Sequence, residues 1–192
     1  MVRTRVGYTG GTTADPTYHK LGDHTETVQI DYDPTQISYA ELLEEFWASH
    51  SPTYRTLSMQ YRSAIFYHNE EQKQLALESL RRREQALDMP VYTDVEAAGT
   101  FYLAEDYHQK YYLRNQRSLI REFQAIYPDT AGLIGSTAVA RANGYAGGHG
   151  TPEDADTILQ MGLSQEATQR LLTMVGSDEI APACPVPALA TE

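Results

Sequence analysis

Short β-type runs alternate with capped helical segments through the first 128 residues, and this order restricts the fold more than any other feature. A β-like run from Val2 to Tyr8 ends at Gly10 and Gly11, which permit a tight turn with positive φ. A second run, which contains Glu26, repeats with the period of two that is typical of a strand. The order predicts a core that contains both strands and helices.

Two helices in this region have clear start signals. Ser38 and Glu41 form a capping box at the head of "SYAELLEEFWASH", and Asn69 caps the long charged segment "EEQKQLALESLRRREQAL". Between them, "QYRSAIFYH" is rich in aromatic and β-branched residues and predicts a buried strand. A short strand at Val91 to Val95 follows, and then "TFYLAEDYHQKYYLRNQRSLIREFQAIYP" predicts a helix that ends at Pro128.

The remaining sequence predicts a helical extension and a tail. Residues 129–176 contain three short helical patterns separated by glycines and by the cap pair Thr151 and Pro152. Residues 177–192 hold three prolines and little apolar periodicity, so we expect a disordered, mobile tail that carries Cys184. The predicted domains are therefore 1–128, 129–176 and 177–192.

Charge and cysteine content exclude several classes of partner and compartment. The formal net charge is -11, with only 15 Lys and Arg residues, which argues against nucleic acid as a partner. No stretch has the apolar length of a membrane span, and the first residues lack the apolar region of a secretory signal. A single cysteine, Cys184, excludes an intramolecular disulfide and fits the reducing cytoplasm.

Glu26 lies at an unusual position in its predicted strand. The period of two places it on the same face as Val28, Ile30 and Tyr32. Burial on an apolar face disfavours an ionised carboxylate and would keep a proton available near neutral pH. The alternative is a glutamate at a strand end that reaches water.

Several separated stretches together resemble the methionine sulfoxide reductase type A family. They are, in order, "GYTGG", "PTY", "GDHTE", "YDP", "SYAELLEEFW", "QYRSAIFYH" and "AEDYHQKYYL", and they cover residues 3 to 114. The later "GYAGGHGTPE" resembles the carboxy-terminal extension of some members. The resemblance implies an α+β fold with a ferredoxin-like core, in which helices flank a mixed sheet. It also implies an activity, the reduction of methionine-S-sulfoxide in oxidised proteins to methionine.

The same resemblance assigns roles to individual residues. Glu26 matches the acid that protonates the sulfoxide oxygen, and Tyr18 and Tyr61 match the tyrosines that hydrogen-bond this oxygen. His24 is expected to support Glu26 by orienting its carboxylate, or else to be a structural histidine. Asp106 and His108 are interpreted as helix residues, with supporting groups of the site as the alternative. The resemblance implies no bound cofactor or metal, and thioredoxin or another thiol reductant as electron donor. It leaves the oligomeric state open.

The sequence also departs from the family pattern. The nucleophilic cysteine of the family lies in a "GCFWG" motif upstream of "GYTGG", and the acid that usually precedes "QYRS" is replaced in "SPTYRTLSMQYRS". From these differences we expect that the chain as printed is inactive and that Met1 is not the true start. The alternatives are a non-catalytic methionine-sulfoxide-binding or scaffold protein, and an enzyme that uses Cys184. Cys184 suits a resolving thiol better than a nucleophile, and an ordinary tail cysteine is an equal alternative.

Overall fold

The computed structural model of the chain describes residues 2–176, and its strands and helices follow the predicted order as far as the strand Thr93–Ala97. The predicted tail at 177–192, with Cys184, lies outside the described residues. Contacts divide the chain into two compact units, Met1–Gln109 and Lys110–Glu192. Among the described residues, no helix is long and apolar enough to cross a bilayer.

The described residues of the first unit form five strands in two small sheets. The strands are β1 Arg3–Thr9, β2 Thr25–Asp31, β3 Ser63–Tyr67, β4 Thr93–Ala97 and β5 Tyr102–Leu103. One sheet has the order β2-β1-β5 and is antiparallel, with Tyr8 opposite both Glu26 and Tyr102. The other is the parallel pair of β3 and β4. The α+β class is confirmed, and the strands form two sheets rather than the single mixed sheet that was expected.

Two helices of the first unit begin where the sequence predicts. Helix α1, Tyr39–Ala48, starts with the capping box of Ser38 and Glu41, and helix α2, Glu70–Leu87, is capped by the side chain of Asn69. Trp47 of α1 is almost fully buried and packs with Leu43, Ile65 and Ala76. Its indole N–H donates to Ser79 Oγ at 3.1 Å. The amphipathic faces of both helices thus form a core beside β3.

The predicted long helix that ends at Pro128 is wrong in its first half. Tyr102–Leu103 pairs with β1 as β5, and Asp106–His108 is a single 3₁₀ turn. Helix α3, Tyr111–Arg114, begins only after Lys110, whose φ of 57° is left-handed and interrupts a helical path. Pairing with a strand distant in sequence thus overrides the helical pattern around residues 100–110.

Every secondary-structure element among the described residues of the second unit is a helix. Besides α3 it contains α4 Arg117–Ile126, α5 Thr130–Gly135, α6 Thr137–Ala146, α7 Ala155–Leu159 and α8 Gln165–Gly176. Its core includes the fully buried side chains of Phe123, Leu119, Ile158 and Leu171. Helices α3 and α4 contribute to this core, so the boundary between the compact units precedes the predicted domain boundary after residue 128. Contacts do not show which segments fold independently, so the predicted domain boundary after residue 128 stays a prediction.

Candidate functional site

Tyr18 and Tyr61 come together although 43 residues separate them in the sequence. Their hydroxyl oxygens lie 3.4 Å apart. Tyr18 lies in a short turn, where Thr17 and Lys20 form an isolated β-bridge. Tyr61 lies two residues before the start of β3. The hydrogen bond with Tyr18, partial burial and the negative charge of Glu26 raise the pKa of Tyr61 to about 12. Tyr61 therefore keeps its phenolic proton at neutral pH and can donate it to an acceptor.

Glu26 is held next to this pair by Gln60. The Gln60 side-chain amide donates to Glu26 Oε1 at 2.6 Å, and the Glu26 backbone N–H donates to the Gln60 carbonyl oxygen at 3.0 Å. Because Gln60 immediately precedes Tyr61, these two bonds fix the carboxylate close to the phenol. Sequence reasoning missed Gln60, since only the fold brings residues 26 and 60 together. The site thus combines two phenol donors and a carboxylate.

The sequence predicted that Glu26 lies on a buried apolar face of its strand. This prediction is wrong, because the apolar residues of that face are exposed. Glu26 itself is half-buried, but Val28 is 57% exposed and Ile30 is 38% exposed. The described residues therefore leave these two apolar side chains of β2 partly uncovered. Burial on this face therefore cannot explain how Glu26 would hold a proton.

Glu105 links Tyr8 of β1 to the turn that contains Tyr18, and it was not predicted from the sequence. Its Oε2 accepts the Tyr8 hydroxyl at 2.6 Å, and its Oε1 accepts the Tyr18 backbone N–H at 3.0 Å. Burial opposes ionisation of Glu105, but these bonds hold its pKa below the usual range. Burial and the bond to Glu105 in turn raise the pKa of Tyr8 well above its ordinary value. The ring of His108 lies against that of Tyr18 with centroids 4.7 Å apart, so His108 is a neighbour of the site.

His24 organises the glycine turn through both of its ring nitrogens. It is 1% exposed, its Nδ1 accepts the Gly11 N–H at 3.1 Å, and its Nε2 lies 2.8 Å from the Thr13 carbonyl oxygen. The first bond requires an unprotonated Nδ1, so Nε2 carries the hydrogen and donates to Thr13. Both nitrogens are therefore engaged in the turn rather than with Glu26, which matches the structural alternative for His24.

Asp23 closes the same turn, and its replacement gives a first prediction. Its two carboxylate oxygens accept the backbone N–H and the hydroxyl of both Thr12 and Thr13 at 2.8–3.0 Å. These bonds hold the pKa of Asp23 far below its usual value. We expect Asp23→Ala to accelerate hydrogen exchange at the Thr12 and Thr13 amides, measured by NMR. Asp15→Asn is the control, because Asp15 is exposed and asparagine tolerates its positive φ of 48°. Unchanged exchange in Asp23→Ala would show that the turn is held by other bonds.

Comparisons with known proteins agree on one family. The family model described as peptide methionine sulfoxide reductase matches residues 1–130. A peptide methionine sulfoxide reductase of Drosophila melanogaster is 43% identical over 153 residues, which cover 78% of this chain and 61% of the relative. A second, from Methanothermobacter thermautotrophicus, is 45% identical over 130 residues, covering 61% of this chain and 76% of the relative. This chain therefore spans about three fifths of the length of the Drosophila relative.

Solved structures show the same similarity. Methionine sulfoxide reductase A of Corynebacterium diphtheriae superposes with a TM-score of 0.53 at 35% identity, covering 59% of this chain and 63% of that one. Mxr1 from Saccharomyces cerevisiae in reduced form has a TM-score of 0.56 at 26% identity, covering 59% and 71%.

Proposed function

This chain belongs to the peptide methionine sulfoxide reductase family, and from that premise we propose that its site binds methionine-S-sulfoxide in oxidised proteins for reduction to methionine. The observation that carries the proposal is the convergence of the Tyr18 and Tyr61 hydroxyls beside the Glu26 carboxylate. A sulfoxide oxygen is a strong acceptor with partial negative charge, so phenol donors suit it. The sulfoxide carries no net charge, so neutral donors such as phenols are sufficient to bind its oxygen.

Each residue has a distinct role in the proposed reaction. Tyr18 and Tyr61 donate hydrogen bonds to the sulfoxide oxygen and orient the sulfur towards an attacking thiolate. Glu26 supplies a proton to the oxygen as the sulfur–oxygen bond breaks, which stabilises the developing charge. The thiol sulfur takes up the oxygen as a sulfenic acid, and methionine is released. A second thiol then forms a disulfide with loss of water, and thioredoxin or another thiol reductant restores the thiols.

The arrangement around Glu26 suits proton transfer in one respect. Gln60 occupies Oε1, while Oε2 has no hydrogen-bond partner among residues 2–176. One carboxylate oxygen is thus fixed and the other is open to exchange a proton with a bound ligand. Gln60 therefore acts as a positioning residue for the acid in this proposal.

Binding without reduction is the second candidate, and one observation favours it. The single cysteine of the printed sequence, Cys184, falls outside the described residues, so the site as described contains donors and an acid but no thiol. Calorimetric titration with a methionine-S-sulfoxide peptide, followed by a turnover assay with thioredoxin, separates the two candidates. Binding with turnover supports the reductase, binding alone supports the sulfoxide-binding protein, and a flat titration contradicts both.

The phenol hydroxyls give a specific binding prediction. Tyr18→Phe and Tyr61→Phe each remove one donated hydrogen bond, whose net worth is about 0.5–1.5 kcal/mol, so we expect affinity for the sulfoxide peptide to fall about two- to tenfold in each. Titration calorimetry measures the change, with Tyr111→Phe as an exposed control in the other unit. The peptide with reduced methionine should bind the wild type and every variant with the same affinity. Equal affinity of wild type and the double phenylalanine variant would show that the oxygen binds elsewhere.

A further inference from the structure

A loop with exposed apolar side chains leads directly into the sulfoxide site. Residues 51–60, called the apolar loop below, lie between α1 and β3 and form no helix or strand. Leu57 is 95% exposed, Tyr54 is 74% exposed, and Met59 is exposed as well. Single exposed apolar residues are ordinary, but several on one short loop beside a binding site indicate a contact surface.

Hydrogen bonds to neighbouring elements hold both ends of the apolar loop. At its start, the Tyr92 N–H donates to the Pro52 carbonyl oxygen at 2.8 Å. At its end, the Met59 carbonyl oxygen accepts the Thr25 hydroxyl at 3.0 Å, and the carbonyl oxygen of the next residue accepts the Glu26 N–H. The end of the loop is therefore fixed to β2 directly beside Glu26, which gives its exposed side chains a defined place next to the site.

Tyr61 belongs both to the site and to this exposed surface. It is 45% exposed, and its hydroxyl lies 3.4 Å from that of Tyr18. Met59 and Leu57 precede Tyr61 by two and four residues, so their Cα atoms lie within about 7 Å and about 14 Å of the Tyr61 Cα, the reach of an extended chain. An extended peptide covers the same distances in two to four residues. A segment whose sulfoxide oxygen is bound by the two phenols can therefore place neighbouring side chains on the apolar loop.

The apolar loop offers apolar contacts and little charge. Residues 51–60 contain no Asp or Glu, although the protein has a net charge of -11. Arg55 is their only charged residue, and its guanidinium lies over the Tyr92 ring, 5.8 Å from the ring centroid. Tyr92 is itself exposed and extends the apolar surface. A ligand therefore gains most here from uncharged apolar side chains that cover Tyr54, Leu57 and Tyr92.

We propose that the apolar loop determines which oxidised proteins the site accepts, by binding apolar residues that lie within four positions of the methionine sulfoxide. The proposal rests on the proposed function, because Tyr18 and Tyr61 must bind the sulfoxide for its neighbours to reach the loop. It adds the class of substrate, an extended segment in which leucine-like or aromatic side chains flank the oxidised methionine. The phenol donors alone cannot distinguish such a segment from a polar one, since they contact only the oxygen.

Fluorescence anisotropy with three labelled peptides and the full chain tests the proposal. Each peptide has a central methionine-S-sulfoxide, which is flanked by leucine and serine in the first peptide, by serine alone in the second, and by lysine and serine in the third. We expect the leucine peptide to bind about tenfold more tightly than the serine peptide, because buried apolar surface adds to the bond at the sulfoxide oxygen. Equal binding of these two peptides, or tightest binding of the lysine peptide, would overturn the proposal and leave the proposed function intact.

The same peptides with reduced methionine test the proposed function separately. We expect each to bind more weakly than its sulfoxide form. Equal affinity of the two forms for all three flanking sequences would contradict sulfoxide binding, and the proposal about the apolar loop would fail with it.

Protein variants locate the selective contact. Leu57→Ser removes the most exposed apolar side chain of the loop, so it should weaken binding of the leucine peptide about fivefold and leave the serine peptide unchanged. Leu159→Ser, at an exposed leucine of α7, is the matched control and should change neither affinity. Equal losses for both peptides in Leu57→Ser would show that Leu57 maintains the site instead of contacting flanking residues. Unchanged binding of the leucine peptide would place the apolar contact elsewhere, and either result would overturn the proposal.

Sedimentation at several protein concentrations detects a competing occupant of the same surface. We expect no association that depends on the apolar loop. A dimer that Leu57→Ser dissociates and the leucine peptide does not displace would assign the surface to a second copy of the chain and overturn the proposal.

Discussion

In a form of the protein that carries the family's nucleophilic cysteine, replacing Glu26 by glutamine should lower the rate of thiol-dependent reduction of a methionine-S-sulfoxide peptide by about 10²- to 10⁴-fold, the usual contribution of a general acid. Glutamine keeps the size of the side chain and an oxygen that can accept the Gln60 amide, so the position of residue 26 should persist. It cannot transfer a proton. Affinity for the peptide should change little, because Tyr18 and Tyr61 still donate to the oxygen. Single-turnover rates and calorimetric titration on the same preparations measure both quantities.

Glu45→Gln is the matched control, because Glu45 is an exposed glutamate on α1. It removes one negative charge without touching the site and should leave the rate unchanged. Near-normal turnover in Glu26→Gln would show that Tyr61 or water supplies the proton. A large loss of affinity in that variant would show instead that Glu26 binds substrate rather than protonating it.

Local signals predicted the starts of α1 and α2, and the structure confirms them. The capping box of Ser38 and Glu41 and the cap at Asn69 depend only on residues three positions apart, so the sequence alone contains their chemistry. The α+β class was implied by the family resemblance, and the strand and helix order agrees with it. Such features do not depend on distant parts of the chain.

Local sequence patterns gave a wrong prediction around residues 100–110, where a helix was expected. The side chain of Gln109 accepts the Val6 N–H at 3.0 Å and donates to the Val6 carbonyl oxygen at 2.7 Å, so it pairs with β1 in place of a strand residue. These partners are 103 residues apart. No periodicity within the segment indicates such pairing, and the helical pattern therefore misled the prediction.

The residues of the candidate site also fall into two groups, those found through sequence motifs and those that only the fold reveals. Tyr18, Glu26 and Tyr61 were identified through motifs that resemble a family, because a period of two or a single tyrosine could not assign their roles. Gln60 and Glu105 act by hydrogen bonds to residues far away in the sequence, and only the folded chain places them. The buried apolar face proposed for Glu26 failed because strand periodicity tells which residues share a face but not whether anything covers it.

Phe123→Ala should destabilise the helical unit by about 3–5 kcal/mol, the usual cost of removing a fully buried aromatic side chain. Phe123 is 0% exposed and packs in the core that α3 and α4 share with α6 and α8. Trp47, the single tryptophan, lies in the other unit, so its fluorescence follows that unit alone. In urea unfolding, tryptophan fluorescence therefore reads the first unit alone, whereas circular dichroism reads the helices of both units. We expect the dichroism transition to move to lower urea and the fluorescence transition to move much less.

This comparison also tests where the chain divides. If the domain boundary lay after residue 128, α4 would belong to the domain of Trp47, and Phe123→Ala would move the fluorescence transition by the full amount. Ile126→Ala is the control, because Ile126 is in the same helix but 45% exposed, and its loss should cost little. Coincident shifts of both transitions in Phe123→Ala would contradict the division at Gln109 and Lys110. Separate shifts would establish α3 and α4 as part of the helical unit, which makes the site-bearing unit shorter than its family resemblance suggests.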